Sequence, residues 1–102
     1  MKGQFEILYD QALALHRQGR LREADGLYAR ALAIKPDLVE AHNNRGAIRQ
    51  LAGDWDGALA CYDGALRHRP DYAEALANRG NVLIQLRRWP EALAAFDRTL
   101  QL

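Results

Sequence analysis

The chain contains few of the features that stabilise small extracellular domains or span membranes. Cys61 is the single cysteine in 102 residues, which excludes an internal disulfide and the usual multi-cysteine zinc sites. There is no run of eighteen apolar residues, and the first residues lack the apolar stretch and cleavage pattern of a signal peptide. We therefore predict no membrane partner and, because a lone cysteine suits a reducing compartment, a cytoplasmic location.

The chain also lacks an excess of either sign of charge. Fourteen Lys and Arg residues balance thirteen Asp and Glu residues, for a formal net charge of +1. This balance gives no overall field that would draw the chain to nucleic acid. Two basic clusters, one at Arg67 to Arg69 and one at Arg87 and Arg88, fall near predicted helix ends and turns, where positive charge complements the helix dipole. We predict no nucleic-acid partner.

Groupings typical of catalysis or metal binding are scarce as well. Cys61 has no adjacent base and precedes a predicted core residue, Tyr62, which favours a structural thiol. His16, His42 and His68 lie 26 residues apart, without acidic or cysteine companions at ligand spacing. The sequence predicts no enzymatic activity, no metal and no cofactor.

What the chain does have is a repeat of 34 residues. The repeated positions are Ala24, Tyr28, Ala31 and Pro36, then Ala58, Tyr62, Ala65 and Pro70, then Ala92, Phe96 and Thr99. Small and aromatic residues at helical offsets with this period indicate stacked helix pairs, which act through a shared surface. We predict an all-α fold of six helices in three antiparallel pairs. The single domain covers residues 1–102, with repeats at about 5–38, 39–72 and 73–102.

The helix boundaries are marked by turn and capping residues. Apolar residues at three-and-four spacing predict helices from Phe5 to about Gln18 and from Leu21 to Ile34, followed by two further pairs. Gly19 and Gly53 are predicted to end first helices in the left-handed conformation, and Arg87 takes that place in the third repeat. Asp37 and Asp71 are predicted to cap the next helices, with Glu40 and Glu74 completing capping boxes. Pro90 is expected in the first turn of the last helix.

Core positions follow from the same periodicity. Small residues of the first helices, Ala12, Gly46 and Gly80, are expected to face Ala24, Ala58 and Ala92 of the second helices. The larger predicted core residues are Leu8, Leu15, Tyr28, Leu32, Tyr62, Leu66, Leu76, Leu83, Phe96 and Leu100. The aromatic column of Tyr28, Tyr62 and Phe96 is predicted to turn inward rather than to stack on a ligand.

These features resemble the tetratricopeptide repeat family, with three copies from about Phe5 to Leu102. The likeness is strongest from Val39 to Tyr72, where asparagine, glycine, aromatic, alanine and proline follow the family order. His42 stands where the family favours a bulky residue, which is expected to loosen packing, and Arg45 and Arg79 replace a usual leucine. The resemblance implies a right-handed superhelix whose first helices line a concave groove for a partner peptide or helix.

Projection of the first helices predicts which residues line this groove, opposite the core stripe. They are Tyr9, Leu13 and Arg17, then Asn43, Asn44, Ala47, Gln50 and Leu51, then Asn78, Asn81, Ile84 and Gln85. Amides dominate, and a carboxamide offers both a donor and an acceptor to an extended peptide. Asn44 and Asn78 share a register and resemble the asparagine ladder of long arrays in this family. Alternatively, they bridge or cap neighbouring helices.

The sequence is compatible with more than one kind of partner. The carboxylate clamp of chaperone-binding family members is matched only by Asn44, and Glu74 stands where a lysine would be needed. We therefore predict a protein or peptide partner that offers an internal or helical segment rather than a chaperone tail. One alternative is a homo-oligomer, which forms through an apolar face of the uncapped third repeat. That face would consist of Leu93, Phe96, Leu100 and Leu102. Another, by family analogy, is a docking region of a larger protein such as a glycosyltransferase.

Overall fold

A computed structural model describes residues 1–102 and consists of helices joined by short turns. The helices are α1 Gln4–Arg17, α2 Leu21–Ile34, α3 Val39–Leu51, α4 Trp55–His68, α5 Ala73–Gln85 and α6 Trp89–Leu100. Within each predicted repeat the two helices pack together, and α2 contacts α3 just as α4 contacts α5. The molecule measures 43 × 26 × 19 Å. The all-α, pairwise architecture predicted from the 34-residue period is confirmed.

The turns inside each pair follow the sequence. Gly19 and Gly53 adopt φ values of 77° and 76°, the left-handed conformation that ends α1 and α3. Arg87 adopts the same conformation with φ 59°, at a cost of about 1–2 kcal/mol because its Cβ approaches its own carbonyl. Pro90 lies in the first turn of α6, as predicted. The three turns therefore share one backbone conformation, although their sequences differ.

The predicted aspartate caps are wrong. Helices α3 and α5 begin one residue later than expected, with Leu38 and Tyr72 at the N-cap and no side-chain cap at either. Both residues pack against the core clusters, so the residue immediately before each helix is the one that packs its side chain into the interior. Asp37 lies before the N-cap of α3, where it pairs with Lys35 at 3.1 Å. The one aspartate that does cap is Asp54, whose Oδ1 accepts from the Gly57 N–H at 3.0 Å.

The core forms around the two buried tyrosines. Tyr28 and Tyr62 have no exposed surface. Their hydroxyls hydrogen-bond equivalent positions of the first helices: Tyr28 to Nδ1 of His16 at 2.9 Å, and Tyr62 to Oε1 of Gln50 at 2.8 Å. Burial in the interior raises the pKa of both tyrosines to about 12. The third repeat has Phe96 and Ile84 at these positions, so an apolar pair replaces the hydrogen bond.

The core prediction fails at the end of α6. Leu100 is 84% exposed, although it follows the same spacing as the buried Leu32. The reason is that Leu32 is covered by the following repeat, whereas no helix packs against the outer side of α6.

Candidate functional site

A concavity of about 660 Å³ lies between α3 and α5, the first helices of the second and third repeats. We call it the α3–α5 groove, and its lining residues are Ala47, Gln50, Leu51, Trp55, Tyr62, Asn78, Asn81, Ile84 and Gln85. Seven of these nine belong to the groove set predicted from the sequence. Helical projection of α3 and α5 alone therefore brings most of this surface together.

Trp55 and Tyr62 were missed because they belong to α4, a second helix. The ring of Tyr62 reaches the groove across Gly46, which has no side chain to block it, and its hydroxyl donates to Gln50 on the groove side. A glycine on a first helix, facing an aromatic residue sixteen positions later, was the available signal.

The groove combines apolar rims with free amides. Leu51 is 74% exposed and Ile84 is 36% exposed. Asn81 and Gln85 are exposed, and neither side chain makes a hydrogen bond within the protein. Gln50, in contrast, already accepts from Tyr62. The groove thus offers two unengaged carboxamides beside two accessible apolar side chains.

The other asparagines connect neighbouring repeats. Nδ2 of Asn44 donates to the Tyr9 hydroxyl at 3.3 Å, and Nδ2 of Asn78 donates to Oδ1 of Asn43 at 3.1 Å. Tyr9 and Asn43 are 34 residues apart, so the two bonds are the same contact made twice. Asn43 is only 6% exposed, and its side chain accepts the hydrogen bond from Asn78. These bonds correspond to the bridging alternative, although they leave the Oδ1 atoms of Asn44 and Asn78 free of protein partners.

The first repeat does not contribute to this groove. Tyr9 is half-buried, with its ring 5.7 Å from that of Tyr28, and it lines a separate cleft of about 170 Å³ with Leu38 and α1 residues. Burial, reinforced by Glu40, raises the pKa of the Tyr9 phenol. Leu13 is half-buried and Arg17 is exposed, and neither lines the α3–α5 groove.

The predicted self-association residues lie on α6 and just after it. Leu93 and Leu102 are 64% and 53% exposed, and Leu100 is more exposed still. Phe96 is half-buried because its ring packs against Gly80. An apolar face therefore lies open on the outer side of α6.

The cysteine and two of the three histidines lie outside the α3–α5 groove. Burial raises the pKa of the Cys61 thiol, against the opposing effect of Arg45 and Arg49. The rings of His42 and His68 stack at 5.9 Å, and no group of three or more His, Cys, Asp or Glu side chains is placed to hold a metal ion. None of the six helices combines the length and apolarity needed to cross a bilayer.

Comparison with known proteins agrees with this architecture. A family model described as "Tetratricopeptide repeat" matches residues 51–102, and a second, described as "TPR repeat", matches residues 12–53. A comparison with curated protein sequences finds no match.

Two similar solved structures are the TPRs of Spaghetti (RPAP3), each bound to the HSP90 peptide SRMEEVD. The first TPR has a TM-score of 0.91 and 20% identity, over 96% of this chain and 78% of that one. The second has a TM-score of 0.90 and 21% identity, over 96% of this chain and 85% of that one. At these identities the likeness is one of fold. Because one family model alone matches half of the sequence, this chain belongs to the tetratricopeptide repeat family.

Proposed function

We propose that the α3–α5 groove binds a polypeptide segment of a partner protein and that the domain is a non-catalytic interaction module. The observation that carries this proposal is the concavity itself, with unengaged amides between exposed apolar side chains. Pockets lined mainly by apolar surface with a few convergent polar groups are typical binding sites.

The groove chemistry suggests what the segment offers. Asn81 and Gln85 are one helical turn apart on α5, so both carboxamides face the same stretch of ligand backbone. Each can donate to a carbonyl and accept from an N–H, whatever the ligand side chains are. Leu51 and Ile84 then select an apolar ligand side chain. We propose an extended or helical segment with at least one apolar anchor.

The charge near the groove disfavours an acidic tail. Glu40 lies in the first turn of α3 and Glu74 in the first turn of α5, so each of the two helices that form the groove begins with a carboxylate. Burial, with Glu74 as the next cause, raises the pKa of Tyr72 to about 12. The RPAP3 relatives bind the acidic peptide SRMEEVD. In this chain the same peptide would meet like charge, so we propose a neutral or basic segment instead.

A display library of random twelve-residue peptides provides the first test, followed by titration calorimetry of the selected peptide. We expect Ile84→Glu to weaken binding by about tenfold or more, because it places a charge against the apolar anchor. Ile34→Glu is the matched control, since Ile34 is 47% exposed on α2 and lies outside the groove. Asn81→Ala tests the amide contact without touching the bonds that connect repeats. A selected peptide that binds both glutamate variants equally well would contradict the groove assignment.

The choice of ligand is tested separately with SRMEEVD as the probe. We expect no saturable binding to the wild-type domain at millimolar peptide, and improved binding after Glu40→Lys combined with Glu74→Lys. Tight binding of SRMEEVD to the wild type would overturn the charge argument while leaving the groove assignment intact.

A further inference from the structure

A second cleft, of about 450 Å³, is lined by residues of α3 and α4 and by the end of α2. We call it the α2–α4 cleft, and it shares no lining residue with the α3–α5 groove. Arg45 and Arg49 of α3 line the cleft, whereas Ala47 and Gln50 line the groove. At 3.6 residues per turn these two pairs lie on different faces of α3. The cleft therefore opens on a surface that the proposed peptide ligand does not use.

The lining of the α2–α4 cleft is basic. Three guanidinium groups and two imidazoles line it, and none of its 11 lining residues is acidic. The basic residues are His42, Arg45, Arg49, Arg67 and His68. Over the whole chain 14 Lys and Arg residues balance 13 Asp and Glu residues, so this is a local excess. A cleft lined by one sign of charge concentrates small ions of the opposite sign.

Most of these basic residues occur in the second repeat alone. Both other repeats have leucine at the positions of His42 and Arg49, namely Leu8 and Leu15, then Leu76 and Leu83. The positions of Arg67 and His68 hold no basic residue in either of the other repeats. The cleft is therefore a property of this chain's middle repeat and does not follow from the 34-residue pattern.

Two glycines of α4 keep the cleft free of a carboxylate and of a long side chain. Gly57 takes the place of a glutamate that pairs with an arginine in the other repeats, Glu23 with Arg20 and Glu91 with Arg88. Gly64 takes the place of an arginine in both other repeats, Arg30 and Arg98. The first difference removes a negative charge from the lining, and the second leaves room for the ring of His42, which packs against Gly64.

The arginines are held in place, but their donors are only partly used. Asp25 accepts from Nε of Arg45 at 2.9 Å and from Nη2 of Arg49 at 3.2 Å. Asp54 lies 3.5 Å from Nη1 of Arg49. The terminal amino groups of Arg45, and the whole guanidinium of Arg67, make no hydrogen bond within the protein. Two carboxylates thus face three guanidinium groups, and the unengaged N–H donors remain for a ligand.

The ligand that suits these donors best is a phosphate group. A guanidinium fork binds phosphate oxygens in a fixed planar geometry. A phosphomonoester offers three such oxygens and almost two negative charges near neutral pH, whereas a carboxylate offers two oxygens and one charge. The volume of the cleft is in the range of small-molecule sites and leaves space for an organic group beside the phosphate.

We propose that the α2–α4 cleft binds a small phosphomonoester, with Arg45 and Arg67 as the direct donors to its phosphate. Asp25 acts as a positioning residue, because it orients Arg45 and Arg49. The organic part of the ligand lies against Leu32 and Ala60. This activity is separate from peptide binding in the α3–α5 groove, and either can fail without the other.

Phenyl phosphate is the probe for this site. It is titrated into the isotopically labelled domain at about pH 7.5, where the ester is almost fully dianionic, and NMR follows the backbone amides and the arginine Nε–H groups. We expect saturable shifts concentrated on the cleft. Ala60→Glu should weaken binding about tenfold or more, because it places a carboxylate beside the ligand. Arg67→Gln should weaken it about fivefold through the loss of charge-assisted donors.

Two matched controls make the same changes on α6, outside the cleft. Ala94→Glu stands at the position equivalent to Ala60, and Arg98→Gln removes another exposed arginine without an ion pair. Neither should alter the affinity. All four substituted positions are exposed, so the variants should remain folded, which thermal unfolding checks.

Benzoate tests the class of ligand, because it keeps the ring and replaces the phosphate with a carboxylate. We expect it to bind about tenfold more weakly than phenyl phosphate. Equal affinity for the two ligands would overturn the phosphate assignment. Shifts that do not saturate at tens of millimolar ligand, or equal losses from Ala60→Glu and Ala94→Glu, would also overturn the proposal, since they describe diffuse attraction to exposed arginines.

Discussion

The ring of Tyr62 occupies the space that a side chain on Gly46 would need. A Cβ built on Gly46 would lie 2.5 Å from Cε1 of Tyr62, far inside the closest approach of two carbon atoms. Tyr62 is fully buried and its hydroxyl is held by Gln50, so the ring has no room to move away. This one contact fixes the separation of α3 and α4 beneath the groove.

Gly46→Ala should therefore destabilise the domain despite the better helix propensity of alanine. Overpacking a tight core contact costs about 1–3 kcal/mol, and an approach of 2.5 Å places the cost in the upper part of that range, above the roughly 1 kcal/mol that alanine gains over glycine within a helix. The matched control is Gly26→Ala in α2, where a Cβ would meet nothing within 4 Å. We expect chemical denaturation to show Gly26→Ala as stabilising by about 0.5–1 kcal/mol. Equal effects of the two substitutions would contradict the steric argument.

Asp25 should contribute more to stability than an ordinary surface carboxylate. Its oxygens accept from Arg45 at 2.9 Å and from Arg49 at 3.2 Å, and its side chain is 20% exposed. We expect Asp25→Ala to cost about 1–3 kcal/mol, because two charged partners of the next repeat lose their acceptor. Glu23→Ala is the control, since the Arg20–Glu23 pair is about half exposed and should contribute less than about 0.5 kcal/mol.

The same carboxylate should shape the acid response. Burial alone would raise the pKa of Asp25, but its bonds to Arg45 and Arg49 hold that pKa below its usual range. A depressed carboxyl pKa gives stability that is present above the unfolded pKa, about 4, and is lost as the pH falls through the folded value. Melting curves of the wild type and Asp25→Ala should converge below pH 4. A constant difference between them down to pH 2 would contradict this assignment.

Most of the fold could be predicted from the sequence because the 34-residue period repeats both packing and turn chemistry. Gly19, Gly53 and Pro90 each mark a boundary through their own backbone restrictions, which do not depend on tertiary contacts. The caps could not be predicted in this way. Asp37 carries the right chemistry, but the burial of Leu38 shifts the helix start, and burial depends on the neighbouring repeat.

The α3–α5 groove was likewise only partly predictable from the sequence. Asn81, Ile84 and Gln85 follow from the projection of α5 alone. The hydrogen bond from Asn78 to Asn43 joins residues 35 positions apart, and it depends on how one repeat rotates against the next. No pattern within a single helix encodes that rotation. The projection therefore predicts most of the side chains that line this concavity, but not which asparagines are already engaged in hydrogen bonds.

Asp54 and Asp37 make a direct test of the capping correction. The Asp54 side chain accepts from the Gly57 N–H, so Asp54→Ala should lower the free energy of unfolding by about 1 kcal/mol. Asp37→Ala removes an aspartate that the sequence places before a helix but that makes no cap, and it should leave the unfolding midpoint unchanged. Equal losses from the two variants would show that Asp37 caps α3 in solution.

His42 should make the domain less stable as the pH falls below neutrality. Burial lowers the pKa of His42 despite the acceptor offered by the Pro36 carbonyl, and His68, Arg45 and Arg67 add smaller repulsions that lower it further. The unfolded chain therefore binds a proton more readily than the folded one. For a depressed histidine pKa, stability is full above the unfolded value of about 6.5 and falls as the pH drops toward the folded value.

His42→Leu should remove this pH dependence, because leucine has no group that binds a proton. The position should accept leucine, since Leu8 and Leu76 occupy the equivalent positions of the other repeats and are both buried. Thermal unfolding between pH 8 and pH 5.5 measures the effect in a range above the titration of ordinary carboxylates. His68→Gln is the matched control: it removes the stacked neighbour but leaves the half-buried His42 ring, so a reduced pH dependence should remain. If His42→Leu keeps the full wild-type slope, the His42 imidazole is not its source, and the proton uptake on unfolding belongs to another group.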